Sequence, residues 1–293
     1  MRYDRLLEDK TVWITGGADA PYDAYARLFH AHGARIFMID ACADGKGAGG
    51  GMTDSGEGAD GGVYAEGTAL YADPGVGQCD CVNRFFECDL SDPEGVAELC
   101  GDIMNKHGAP DVYLHVADYF KPAYIDDMDY DDLQKTLTIS ALTPYTVLSR
   151  VAPGMAANGG GAAVFVGGHY GVQSMNRVSG YGAAKGAEFA LARALAAEYA
   201  PFGIRVNAVA PGASFPPAAD DVLSRSGYAD APEFWQTVQP ICRRGDMSEL
   251  ADAALFLASG MASCVTGEIL QVDGAEHLVA HNHNFPGNGY KMP

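Results

Sequence analysis

A strand–helix alternation that starts at residue 11 and persists to about residue 272 constrains this chain more than any other feature. Thr11-Val12-Trp13-Ile14 is a short apolar run of the kind a sheet buries, and Thr15-Gly16-Gly17 supplies turn chemistry behind it. A helix is predicted over roughly 22–32, ended by Gly33. Ala34–Ile39 then forms a second strand, closed by Asp40. Two strands joined through a helix run parallel, with a right-handed crossover.

The same rhythm returns after residue 84. Strands are expected at Phe85–Cys88, Val112–Val116, Ala162–Val166, Ile204–Val209 and Glu268–Val272. Helices are expected at 93–107, 129–153, 180–200 and 248–259, with an irregular lid over 213–240. Alternation sustained this long predicts one α/β domain built on a doubly wound parallel sheet. Ligands of such sheets bind beyond the carboxyl ends of the strands, so the loops after residues 14, 40, 88, 116, 166 and 209 should converge.

Residues 41–82 interrupt the rhythm. They hold 12 glycines and few large apolar side chains, too few to offset the entropy of ordering them, so they read as an excursion within the domain. The domain is placed at 1–275 and a tail at 276–293. The net charge of −19 argues against nucleic acid and anionic membranes as partners. Neither a run of 18 apolar residues nor an apolar leader is present, and the chain is expected in the cytoplasm. The seven cysteines read as reduced thiols, and His277, His281 and His283 lack a partner set that would make a metal site.

Tyr181 and Lys185 stand four residues apart on a predicted helix and therefore on one face. A phenol with a pKa of about 10 is a poor acid or base near neutrality. A neighbouring ammonium favours the phenolate, and the pair can then pass a proton to or from a carbonyl or alcohol. The pair follows a strand and leads into Ile204-Arg205-Val206-Asn207-Ala208-Val209-Ala210-Pro211-Gly212. Further on come Arg243, Glu249, Leu255-Phe256-Leu257-Ala258-Ser259, Val265-Thr266-Gly267 and Val272-Asp273-Gly274.

In this order the motifs resemble the short-chain dehydrogenase/reductase family over about residues 8–40 and 83–275. The resemblance implies a Rossmann-like fold, an NAD(P) cofactor and hydride transfer between nicotinamide and a carbonyl or alcohol. It implies Tyr181 as acid/base and Lys185 as its partner and nicotinamide-ribose ligand. It places Gly16, Gly17, Asp19, Tyr22, Asp89, Leu90, Ala117, Pro211 and Gly212 along the cofactor. Asp40 matches the residue that binds the adenosine ribose and repels a 2′-phosphate, favouring NAD, with NADP the alternative.

The chain also departs from the family. In the T-G-x-x-x-G-x-G turn Ala20 and Tyr22 stand at the second and third glycine positions, and Asp19 adds negative charge. The N-N-A-G stretch reads His115-Val116-Ala117-Asp118. Ser140 occupies the position of the long-helix asparagine, and Gly168 that of the catalytic serine. His169, beside the empty serine position, is a candidate donor to the substrate oxygen.

The leading expectation is an NAD(P)-dependent oxidoreductase of a ketone or secondary alcohol on a cyclic small molecule, such as a steroid, bile acid or flavonoid. Glycines at 167 and 168 and the lid aromatics Phe215, Tyr228, Phe234 and Trp235 suggest a bulky substrate. The alternatives are a catalytically degenerate binding or regulatory subunit, and a non-redox dehydratase or isomerase using Tyr181. A homo-oligomer, dimer or tetramer, is expected through the helices near 129–153 and 181–200, the second carrying Ala187, Ala190, Ala194 and Ala197 on one face.

Overall fold

The structure is a computed structural model; it describes residues 5–18, 21–41, 81–215, 218–226, 232–235 and 239–279. Most of the glycine-rich excursion, Asp19, Ala20, Tyr228, His281 and His283 lie outside the described residues. Seven parallel strands form one sheet in the order β3-β2-β1-β4-β5-β6-β7. They are β1 (Thr11–Thr15), β2 (Arg35–Asp40), β3 (Val82–Glu87), β4 (Val112–His115), β5 (Gly161–Val166), β6 (Ile204–Pro211) and β7 (Ile269–Val272). The strand order reverses beside β1, which opens the crevice at the β1 and β4 ends where doubly wound sheets bind ligands.

Burial on both faces explains why the central strands read as continuous apolar runs rather than alternating ones. Trp13, Phe37, Ile39 and Tyr113 enter one core with Val147, Val151 and Phe189, which belong to α4 (Thr143–Ala157) and α5 (Ser179–Tyr199). Val12, Ile14, Ile36 and Met38 enter the opposite core with Phe29 of α1 (Ala24–Ala31) and Leu250 of α8 (Met247–Ala258). The edge strand β3 is more exposed, and Val82–Arg84 are polar or only partly covered.

Local chemistry sets the helix ends. Asp92 caps α2 (Pro93–His107) by accepting from the Glu94 N–H, with Pro93 already fixed in helical φ. Asp246 and Glu249 form a reciprocal capping box at the start of α8. At the other end of α8, the Arg205 guanidinium from β6 donates to the carbonyls of Leu257, Ala258 and Ser259 at 2.6, 3.2 and 3.0 Å. These are carbonyls with no partner inside the helix, so Arg205 ties α8 to the sheet.

The helix expected over 129–153 is divided. α3 (Tyr130–Leu137) runs into a π-helical turn at Thr138–Leu142, and α4 continues to Ala157. The cause is legible: Pro144 has no N–H to donate to the Ser140 carbonyl, four residues back. The widened turn is closed by Thr143, whose hydroxyl donates to the Thr138 and Leu90 carbonyls. In the lid, α6 (Ala218–Ser226) and the single turn α7 (Pro232–Trp235) pack Phe234 and Trp235 against Ala219 and Leu223. Those two aromatics are core, not pocket wall. Cys81 is disulfide-bonded, against the expectation of reduced thiols throughout; Cys88, Cys100, Cys242 and Cys264 are free. Among the described residues no helix is long and apolar enough to cross a membrane.

Candidate active site

The ends of β1, β4, β5 and β6 converge on a cavity bounded by Tyr22, Asp118, Gly168, Tyr181 and Pro211. Its volume is about 30 Å³, room for little more than water. Gly16 and Gly17 make the turn out of β1 with φ of +80° and +84°, a region closed to most side chains. A Cβ on Gly16 would lie 2.5 Å from the Ala117 Cα, so β1 and β4 approach this closely only with glycine there.

The Tyr181 hydroxyl donates to Asp118 Oδ2 at 3.0 Å. The Lys185 ammonium, wholly buried, lies 3.2 Å from Asp118 Oδ1 and 3.1 Å from Glu188 Oε2. It meets both as ion contacts without well-aligned hydrogen bonds. Tyr181 and Lys185 are thus brought together as expected, with the ammonium 5.7 Å from the phenol ring centre. The expected electrostatics are overturned. The Tyr181 phenol is raised well above its ordinary value, first by burial and then by the Asp118 charge and hydrogen bond. The Lys185 charge, 5.7 Å from the ring centre and already met by Asp118 and Glu188, does not offset these effects. Burial opposes the ammonium, but Asp118 and Glu188 outweigh burial and keep it protonated. Glu188 is pushed up to about 7 by burial, against the pull of Lys185.

Asp118 takes the last position of the His115-Val116-Ala117-Asp118 stretch, and Glu188 follows Lys185 by one helical turn. Neither was expected as a site residue. The Asp118 signal was the replacement of a glycine by a carboxylate; the Glu188 signal was its i,i+3 spacing from a lysine on an otherwise small-residue helix.

Behind Lys185 lies a second polar chain. His115 Nδ1 is 2.7 Å from Thr15 Oγ1, which is 2.9 Å from the Tyr113 hydroxyl. Burial first, and Lys185 second, push His115 down to about 3, so its imidazole is neutral. Ser140 sits in the π turn, fully buried, its hydroxyl without a hydrogen-bond partner. Gly168 is where the family serine would stand, and a Cβ there would lie 2.8 Å from the Tyr181 hydroxyl. With the phenol in this position a serine side chain would not fit at 168. The buried ring of His169 turns to Glu276, with Nε2 3.5 Å from Oε1. Glu276 is held by the Ala213 N–H at 2.7 Å and is raised to about 8, chiefly by burial. His169 thus lines the same cavity as Tyr181 while its ring pairs with a buried carboxyl group. Glu276 itself, the first residue of the expected tail, is buried in this floor.

The adenosine side is built differently. Asp40 ends β2 and accepts from the Ala18 N–H at 3.0 Å and the Ala41 N–H at 2.8 Å, clasping the first turn. Asp89 is exposed, accepts from the Ser91 N–H and hydroxyl, and is lowered by that hydroxyl. Leu90 and Ala117 are buried beside it. These residues and the two turn glycines fit the adenosine half of a dinucleotide. At the nicotinamide half, the small cavity leaves no room for a ring while Tyr22 and Asp118 keep these positions. Pro211 and Gly212 line the same cavity, and the Gly212 N–H donates to the Val272 carbonyl.

The family model for enoyl-(acyl carrier protein) reductase matches residues 68–275. A short-chain type dehydrogenase/reductase of Sinorhizobium fredii is 30% identical over 92% of this chain and 98% of its own length. The chain belongs to the short-chain dehydrogenase/reductase family. As a member it is an NAD(P)-dependent oxidoreductase. It is also similar to trans-4-hydroxycyclohexanecarboxylate dehydrogenase of Sinomonas cyclohexanicum, at 27% identity over 93% of this chain and 94% of that one. The crystal structure of levodione reductase superposes with a TM-score of 0.74, at 25% identity over 94% of this chain and all of that one. The seven-stranded order found here is that of a Rossmann-like sheet.

Proposed function

We infer that the protein interconverts a ketone and a secondary alcohol on a cyclic small molecule, with Tyr181 as the group that exchanges a proton with the substrate oxygen. The observation that carries this reading is the placement of Tyr181 and Lys185 on one turn of α5, with Tyr181 lining the cavity at the strand carboxyl ends. The phenol is protonated in the nucleotide-free protein, and Asp118, which helps to raise it, must give up its hydrogen bond before the hydroxyl can serve a substrate oxygen. NAD(P) when bound supplies or accepts the hydride. Lys185 supplies a fixed positive charge at the same end, and Gly168 leaves Tyr181 as the donor nearest the oxygen. Support for a ring substrate comes from the name of the hydroxycyclohexanecarboxylate relative. The Asp40 carboxylate at the end of β2 favours NAD, because it repels a 2′-phosphate.

Assembly with a second copy is supported by α4 and α5. Leu142 and Tyr145 are about half exposed, and Ala190, Ala194 and Ala197 form a small, exposed stripe. Light scattering on the purified protein tests that reading; a monomer at micromolar concentration rejects it.

Calorimetric titration with NADH and with NADPH tests the function first. Micromolar binding of NADH, tighter than NADPH, supports both the redox reading and the role of Asp40. A panel of cyclic ketones and alcohols then follows, with Tyr181→Phe as the control that should lose turnover. Failure of folded protein to bind either nucleotide rejects the reading in favour of a non-catalytic binding subunit.

A further inference from the structure

The two groups that the proposed function turns toward the nicotinamide half, the Tyr181 hydroxyl and the Lys185 ammonium, both already face one carboxylate. Asp118 Oδ2 accepts from the phenol at 3.0 Å while Oδ1 stands 3.2 Å from the ammonium. A single side chain bridging a phenol and an ammonium through its two oxygens reproduces what a vicinal diol, with two adjacent oxygens, would offer the same pair. The carboxylate also carries charge, which a diol lacks, so its hold on Lys185 in this buried setting is the stronger per contact.

The surroundings agree with an occupied position. The cavity on which Asp118 and Tyr22 both open is about 30 Å³, far below the few hundred Å³ of an ordinary ligand pocket. Tyr22 is raised above its ordinary value by burial and by Asp118, which keeps it neutral beside that charge. Asp118 itself is not locked in place. Its side chain keeps 15% of its surface, and its contact with the ammonium lacks hydrogen-bond alignment. Lys185 keeps Glu188 at 3.1 Å if Asp118 departs, so the buried ammonium retains a carboxyl group beside it.

We propose that Asp118 is an internal competitor for the nicotinamide ribose: its carboxylate bridges Tyr181 and Lys185 in the nucleotide-free protein and must leave them for the nicotinamide half to enter. This rests on the dehydrogenase reading and sharpens it. Nucleotide affinity is set by a side-chain exchange at one end of the site, while the adenosine end is untouched. A competitor that occupies the site most of the time scales the apparent affinity down to the small fraction of time the site is free.

The test is a set of dissociation constants for NADH and for 5′-AMP, measured calorimetrically on the wild type, Asp118→Ala and Asp118→Asn. AMP carries the adenosine half only and serves as the internal control. The expected result is NADH binding at least ten-fold tighter to Asp118→Ala than to the wild type, with AMP affinity unchanged within two-fold. Asp118→Asn, which keeps the shape and loses the charge, should fall between them and covers the case in which the alanine variant does not fold. Equal or weaker NADH binding by the variants overturns the competitor and leaves the dehydrogenase reading standing. An equal gain for NADH and AMP also overturns it, because the effect would then lie in the first turn. Absence of NADH binding by every folded protein in the set overturns the competitor together with the dehydrogenase reading.

Discussion

Two ionic clusters, one at the cavity and one on the surface, show how differently the same residue types behave in this molecule. At the cavity, Lys185 meets Asp118 and Glu188 with the lysine and the glutamate wholly excluded from solvent. On the surface, Arg243 holds Glu249 through two contacts of 2.9 and 2.5 Å, with both side chains a third exposed or more. The surface pair has the better geometry, and Glu249 is lowered to about 2, first by its Arg243 hydrogen bonds. Water screens it, so its contribution to stability is small. The buried cluster has poorer geometry and higher stakes, because removing one member leaves charge without solvent. Burial, rather than contact quality, decides which cluster matters to the fold, and the costly cluster is the one placed beside Tyr181.

The largest effect should come from Lys185→Met, which leaves the buried Glu188 and the partly buried Asp118 without a counter-charge. A loss of about 3–5 kcal/mol is expected, read by urea denaturation at pH 8. The loss should shrink at pH 5, because Glu188, already raised to about 7, rises further without the ammonium and takes up a proton. A loss below about 1 kcal/mol at pH 8 would mean the buried cluster behaves like the surface pair.

Next is Glu276→Gln. The carboxyl group titrates at about 8 in the folded protein against 4.5 as its ordinary value, so the folded state holds more protons across that interval. Its stabilising contribution is complete below about pH 4.5 and is lost as pH rises through about 8. The effect is on the order of a few kcal/mol. The wild-type melting temperature should fall between pH 5 and pH 8.5, and the glutamine variant, whose amide oxygen still accepts from the Ala213 N–H, should flatten that slope. An unchanged slope would show that Glu276 does not titrate in this window.

Arg205→Ala should cost roughly 2 kcal/mol, since it leaves the last carbonyls of α8 unmatched inside the protein. Hydrogen exchange should then rise at the C-terminal turn of α8 before it rises elsewhere. The smallest effect is expected of Arg243→Ala, below about 1 kcal/mol and vanishing in molar salt. A surface pair worth as much as Arg205 would remove the contrast drawn above.

Periodicity and turn residues determine much of this protein without reference to a structure. The apolar runs at Thr11–Ile14, Val112–Val116 and Ala162–Val166 become the central strands because a parallel sheet buries both faces. Gly33, Asp92 and Asp246 bound their helices through backbone chemistry that is local in sequence. The four-residue spacing of Tyr181 and Lys185 likewise fixes them on one face of α5. The division of the helix at Ser140 was also within reach, since Pro144 removes a donor at a definite position.

Tertiary structure alone decided what surrounds that pair. Asp118 lies 63 positions from Tyr181 along the chain, and Glu276 lies 63 from Ala213; periodicity carries no information on such contacts. The Tyr181 phenol is raised rather than lowered because β4 delivers a carboxylate to it and the fold withdraws both from water. His169 faces Glu276 because the segment after β7 brings that carboxyl group to the end of β6, where the Ala213 N–H holds it. Residue order sets which groups a helix or strand presents. The low dielectric in which those groups meet, and therefore their protonation, arises only when distant strands close over them.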